Sequence, residues 1–444
     1  TPSVRLPSRS GDLLDACQQS RPAVYGGRDT GHNGLQNRNT FYLVLDRPSG
    51  DAGSLGKPWG WVCEWRFAVK TKGALIREFN QPWAIEEIEI GDPQKGEVKV
   101  QMEASGMCHS DHHLVTGGIP MFGFPVLGGH EGAGVVVEVG EGVEGVAVGD
   151  HVVMSFIPSC GKCPSCQAGL RNLCDLGAGL LAGTAISDGT HRIHTADGMP
   201  VFPMTLLGTF SPYMVVHESS VVPIPKDIPF EVACLVGCGV TTGYGSATHT
   251  AQIKPGEDVA IVGVGGVGMS ALQGAVNSGA RYVFVIDPVE WKRDQALKFG
   301  ATHVYEDINA ALAGIAEVTQ GFMAKKVIVT VGEVHGADVD NYMNTTAKSG
   351  TCVMTAIGSM LDTNINLNLA MLTLMQKNLQ GTIFGGGNPY YDIPHLLSMY
   401  KVGKLNLDDM ITRQYRLEQI NEGYQDMLEG RNIRGVIRYT DADR

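Results

Sequence analysis

Four cysteines crowd into the stretch "SCGKCPSCQAGLRNLC", where Cys160, Cys163, Cys166 and Cys174 give C-x2-C-x2-C-x7-C. Each Cys-x2-Cys step is a tight turn, so the thiolates can converge on one point, as in a closed tetrahedral zinc site. A ferredoxin-type iron–sulfur cluster would need an x3 last gap followed by proline. Here the last gap is x7 and Asp175 follows. Paired disulfides compete less well, because nothing at the start of the chain reads as an export signal. A closed site is structural, since all four ligands are protein and no position is left for substrate.

A second set is dispersed. "GMCHSDHH" supplies Cys108, "GGHEGAG" supplies His130 and Glu131, and "LVGCGVTTGYGS" supplies Cys238. Two cysteines and a histidine make a catalytic zinc set whose fourth position stays open. Taken singly, each has an ordinary explanation, a small buried thiol or a hydrogen-bonded core histidine. Their joint occurrence, with Cys238 just ahead of a nucleotide motif, favours a metal.

That motif is "GVGGVG", in which Gly263, Gly265 and Gly268 form G-x-G-x-x-G around Gly266 and Val267. The first glycine permits the tight turn, the second lets a pyrophosphate approach the main chain, and the third lets helix and strand pack closely. An apolar strand (Val259 to Val262) precedes it, an alanine-rich helix follows, and a second strand "RYVFVID" ends at Asp287. A carboxylate there binds the ribose 2′-hydroxyl and repels a 2′-phosphate, so NAD is expected over NADP. Lys292 and Arg293 stand where they can add contacts to the adenosine ribose; their ordinary explanation is solvated surface.

The elements that must position these residues follow from the pattern. "KGALIREF", "WAIEEIEIG" and "GEVKVQMEASG" alternate apolar and polar residues as half-buried strands do. From about Lys254 the text switches to strand–helix alternation, which marks a domain boundary. Residues 1–68 show neither period, and the ordered protein is expected to start at Val69, with residues 1–68 an over-extended gene reading. The 444 residues suffice for two to three domains, and 43% hydrophobic with 18% charged is ordinary for a globular protein. A formal net charge of −12 argues against nucleic acid or an anionic membrane as partner. No run approaches the ~18 apolar residues of a membrane span. A cytoplasmic location is the simplest expectation.

In "GHE", the four-cysteine lobe, "GCGVTTGYG", "GVGGVG", "GTIFGGG" and "GRNIRG", taken in order, residues 69–444 resemble the zinc-dependent medium-chain alcohol dehydrogenases. The resemblance is nearest to the actinobacterial enzymes assayed with N,N-dimethyl-nitrosoaniline. It implies an α/β fold with two domains, a GroES-like β-rich catalytic domain over 69–238 and a Rossmann doubly wound parallel-sheet domain over 239–383. Residues 384–444 would return to the catalytic side. It also implies two zinc ions per chain, NAD(H), a small alcohol or aldehyde substrate, and a homodimer or homotetramer.

The resemblance further assigns roles. The zinc lowers the pKa of an alcohol hydroxyl, and hydride passes to the nicotinamide. Ser110, the cofactor ribose and then His113 form a proton path toward solvent. Asp111 orients the His130 imidazole, and Glu131 either binds zinc during ligand exchange or shapes its turn. Thr242 and Val267 lie against the nicotinamide, Phe156 lines the substrate pocket, and Arg434 meets the pyrophosphate. One departure stands out: His109 occupies the place of a pyrophosphate-binding arginine, and a neutral imidazole supplies no matching charge. The subgroup implies NAD(H) held through turnover and reoxidised by an external electron acceptor. Ordinary NAD exchange and a thiol-dependent formaldehyde dehydrogenase are the alternatives within the enzyme class. A non-catalytic zinc- and nucleotide-binding relative is the alternative outside it.

Overall fold

The computed structural model describes residues 69–360 and 362–444, so the expectation made for residues 1–68 lies outside the described residues. Two β-rich sheets open the described chain. In the first, Val69–Ile76 pairs antiparallel with Ala84–Ile90, Val69 opposite Ile90. In the second, Glu97–Met107 is central, paired antiparallel with Glu131–Val139 and with Tyr213–His217.

Glu97–Met107 departs from the half-buried strand its alternation suggests. Its polar positions Glu97 and Lys99 are as buried as its valines. Burying a charge is tolerated only when it is paired. Lys99 Nζ donates to Asp92 at 2.9 Å and Glu138 at 3.0 Å, and Glu97 receives Arg192 Nε at 2.7 Å.

The third sheet is parallel throughout. Its spatial order is His303–Tyr305, Tyr282–Ile286, Asp258–Val262, Ala324–Val329, Thr346–Met354 and Asn378–Gly381. The chain builds outward from Asp258–Val262 in one direction and then returns to its other side. That reversal opens a crevice at the carboxyl ends of the strands, where ligands bind in such sheets. Gly263 follows Val262 at this point, with φ 85°.

The helix Gly266–Asn277 packs on the helix Gly239–Gly245 through small residues. A Cβ at Gly243 would fall 2.0 Å from the Val267 carbonyl oxygen. At Gly268 a Cβ would fall 1.9 Å from the Gly263 oxygen and 2.7 Å from Thr330 Oγ1. Gly268→Ala must therefore push the helix off the strand. A loss of about 1–3 kcal/mol of stability together with weakened NADH binding is expected, read by urea unfolding and by titration of nicotinamide fluorescence.

The end of the chain returns to the β-rich part. Arg434–Arg438 pairs antiparallel with Glu97–Met107, Gly435 opposite Met107, and parallel with Ile411–Tyr415. This register sets Arg434 beside the start of the Cys108 turn. Among the described residues no helix is long and apolar enough to cross a membrane.

Candidate metal and nucleotide site

Cys108 leaves the strand Glu97–Met107 and caps the helix His109–Thr116. Asp111, in the first turn of that helix, is 0% exposed. Its Oδ2 accepts from the Cys108 backbone N–H at 3.1 Å. Its Oδ1 accepts from the Gly129 N–H at 3.1 Å and from His130 Nδ1 at 3.0 Å. One carboxylate thus fixes two loops and sets the imidazole tautomer, which leaves Nε2 as the basic nitrogen. Nε2 is buried and has no hydrogen-bond partner in the protein.

Cys238 approaches from the start of the helix Gly239–Gly245. Ligand atoms of Cys108, His130, Glu131 and Cys238 all lie within 4.8 Å of one another, and all four residues are buried. The hydrogen bond between the two thiols holds Cys108 well below the usual thiol range and Cys238 well above it. An orphaned imidazole nitrogen facing two sulfurs in a dry pocket fits zinc, which takes such N and S donors.

Glu131 is occupied on both oxygens. Gly239 N–H donates to Oε1 at 2.9 Å, and the Arg434 guanidinium forms a buried ion pair with Oε2. Burial raises the Glu131 carboxyl to about 7 against the lowering pull of Arg434. Arg434 is 4% exposed, and its Cδ lies 2.2 Å from where a Cβ on Gly266 would stand. It therefore reaches the glycine loop, although its guanidinium is committed to Glu131.

The four-cysteine lobe converges as its spacing requires. Cys163 and Cys174 sulfurs are 3.9 Å apart, and Cys174 and Cys160 sulfurs 3.6 Å. None is in a disulfide. Backbone N–H groups of Lys162 and Cys163 point at Cys160 Sγ, at 3.4 and 3.3 Å. Those of Asp175 and Cys166, each at 3.4 Å, point at Cys163 Sγ and bring its thiol down to about 7. Donors aimed at Cys163 favour its thiolate, the form a metal binds, while burial pushes the Cys174 thiol up to about 12.

Around the first cluster, Ser110 Oγ lies 3.7 Å from Cys108 Sγ, and Thr242 Oγ1 lies 3.9 Å from Cys238 Sγ. Phe156 sets its ring edge-on to His130, with centroids 5.8 Å apart. His113 differs from its expected place at the solvent end of a path. It is 5% exposed, and Nε2 lies 2.8 Å from the Gly332 carbonyl oxygen. The helix start presses against the loop after the strand Ala324–Val329, and that contact buries the ring. His109 meets the same loop, since a Cβ on Gly332 would fall 2.7 Å from its Cε1. Burial and then the neighbouring His113 bring the His109 imidazole down to about 4, so it is neutral at pH 7.

Asp287 ends the second parallel strand and points back at the glycine loop. Its Oδ2 accepts from Val264 N–H and its Oδ1 from Val289 N–H, both at 2.9 Å. The second lone pair of each oxygen remains for ribose hydroxyls. Lys292 is half-buried, and burial lowers its pKa. Arg293 instead donates to the carbonyls of Asp287 and Pro288 at 2.7 and 3.0 Å. Phe384 has no assignment from sequence, although its ring packs edge-on against Phe156 at 5.5 Å. The signal lay in "GTIFGGG", whose glycines announce a turn without saying where the phenylalanine points.

Comparison with known proteins agrees with this geometry. Residues 94–226 match the alcohol dehydrogenase GroES-like domain family, and residues 266–401 match the zinc-binding dehydrogenase family. Alcohol dehydrogenase B of Mycobacterium tuberculosis is 77% identical over 376 residues, 85% of this chain and 100% of that protein. The NDMA-dependent alcohol dehydrogenase of Amycolatopsis methanolica is 44% identical over 373 residues, 84% of this chain and 100% of its own. A solved alcohol dehydrogenase zinc-binding domain protein from Burkholderia ambifaria superposes with TM-score 0.78 at 30% identity, over 84% of this chain and 100% of that one. With relatives matched over their whole length at such identities, and two cysteine clusters standing where the fold brings their ligands together, the chain belongs to the zinc-binding alcohol dehydrogenases.

Proposed function

We propose that this protein oxidises a primary alcohol to an aldehyde, reversibly, and keeps NAD(H) bound while an external acceptor reoxidises it. The observation that carries the alcohol chemistry is the buried, unpartnered Nε2 of His130 between Cys108 and Cys238. Bound there, zinc supplies a Lewis acid that makes an alcohol hydroxyl acidic near neutrality, and NAD supplies the hydride acceptor. Cys108, His130 and Cys238 hold the ion, while Asp111 locks the imidazole and the Cys108 turn as one piece. Glu131, neutralised by Arg434, balances charge beside the cluster.

Ser110 Oγ would accept the alcohol proton as it passes its own hydroxyl hydrogen on through the cofactor ribose to His113. Because His113 Nε2 faces a carbonyl acceptor, that nitrogen carries hydrogen and Nδ1 is the base. Phe156 walls the alcohol pocket. Gly263, Gly265, Gly266 and Gly268 admit the pyrophosphate, with Asp287 and Lys292 at the adenosine ribose and Thr242 and Val267 at the nicotinamide. The Arg434 side chain packs beneath the loop at Gly266 while its guanidinium pairs with Glu131, and His109 is neutral. Residues 69–238 and 384–444 form the catalytic part and 239–383 the nucleotide part. A homodimer is part of this reading. Ile357, Met360, Ile365, Leu369 and Leu374 are exposed in the segment leading to the edge strand Asn378–Gly381, and an unpaired edge beside exposed apolar residues favours a second copy.

The Amycolatopsis methanolica relative is an NDMA-dependent alcohol dehydrogenase, which supports the external acceptor. The test is to purify the protein without added nucleotide, denature it, and measure NAD(H) and zinc. Near one NAD(H) and two zinc ions per chain, one for each cluster, are expected. Two zinc ions without nucleotide would replace retained cofactor by ordinary exchange. A single zinc would overturn the catalytic assignment.

A further inference from the structure

We infer that Asn172 is a positioning residue through which the four-cysteine lobe sets the depth of the alcohol pocket. The inference rests on the proposed role of Phe156 as a pocket wall. Asn172 stands two positions before Cys174, in the short turn Arg171–Leu173, and is 9% exposed. Its Nδ2 donates to the Ile383 carbonyl oxygen at 3.1 Å, a link across 211 positions of chain. Ile383 leads directly into a strained turn. Phe384, Gly385 and Gly386 have φ of 54°, 62° and 75°. A bulky side chain in the left-handed region persists only when its surroundings over-determine it, and such sites gather around function.

The surroundings here are few and identifiable. Asn172 holds the residue before the turn, and Thr250 Oγ1 donates to the Gly385 carbonyl oxygen at 3.1 Å. The helix bearing Thr242 lies beneath, so close that a Cβ on Gly385 would meet the Thr242 oxygen at 2.5 Å. Held this way, Phe384 is 1% exposed and stands behind Phe156, which in turn faces His130. The path runs from a metal-folded lobe, through one amide, to the ring that backs the pocket wall. The hydrogen bonds that hold Cys108 and His130 run through Asp111 and not through Asn172 or Ile383, so releasing Asn172 changes the room for substrate first.

The test compares Asn172→Ala and Asn172→Asp with wild type, using ethanol and benzyl alcohol as the two probes. Asp keeps the shape and cannot donate to a carbonyl. Both variants are expected to raise KM for benzyl alcohol about tenfold, with KM and kcat for ethanol within about twofold. Zinc content should remain at the wild-type value. Equal shifts for both alcohols, or no shift for either, would overturn the inference, as would loss of a zinc equivalent in both variants, which would confine Asn172 to folding the lobe. A wild-type protein that turns over neither alcohol, with NAD or with an external acceptor, would instead overturn the underlying reading of the site.

Discussion

Cys238→Ser is expected to lower kcat by about 10³-fold, because a metal that stabilises developing charge contributes several kcal/mol to the transition state. Serine keeps the volume of the side chain and removes the soft donor. The Asp111 network that orients Cys108 and His130 remains in place, since its hydrogen bonds run within 108–130, and the Cys108–Cys238 contact changes. Thermal unfolding should therefore shift only slightly. Metal analysis, single-substrate kinetics and calorimetry on the same preparation separate these effects. Retained turnover in a variant that has lost one zinc equivalent would show that the reaction does not use this cluster.

Cys163→Ser should give the opposite pattern. The lobe over residues 160–174 has short turns and little regular structure, so its fold depends on what the four sulfurs bind. Structural zinc contributes its binding free energy to folding, about 10–16 kcal/mol in isolated peptides. In a lobe seated on a large domain only a fraction reaches global stability. A loss of about 3–5 kcal/mol corresponds to a Tm lowered by about 6–15 °C. One zinc equivalent should disappear, while kcat on ethanol falls by less than about tenfold. Equal loss of thermal stability and of activity in the two variants would end the division of labour between the clusters.

The parts of the site that were legible in sequence share one property: their chemistry is written in local spacing. The C-x2-C-x2-C-x7-C run, the glycine fingerprint with Asp287 at the end of the next strand, and the histidine and cysteine turns each compress geometry into a few consecutive residues. The family, the fold class, zinc and NAD(H) follow from these, and the comparisons bear them out.

What the sequence by itself determined is thus the inventory of donors and the elements that carry them. Only the tertiary structure decided which distant residues meet. Glu97 and Lys99 looked like the solvent side of a strand, yet both are buried against charges brought from elsewhere in the fold. His113 looked like an exit to solvent and proved to be closed in by Gly332, 219 positions away. Arg434 and Glu131 pair across 303 positions, and Asn172 finds Ile383 across 211. A pattern of local periodicity carries no information about such approaches, because they depend on how sheets, turns and returning strands pack once each element has formed. Burial then fixes the pairing, since a charge or an amide shut away from water must find whatever partner the fold has set beside it.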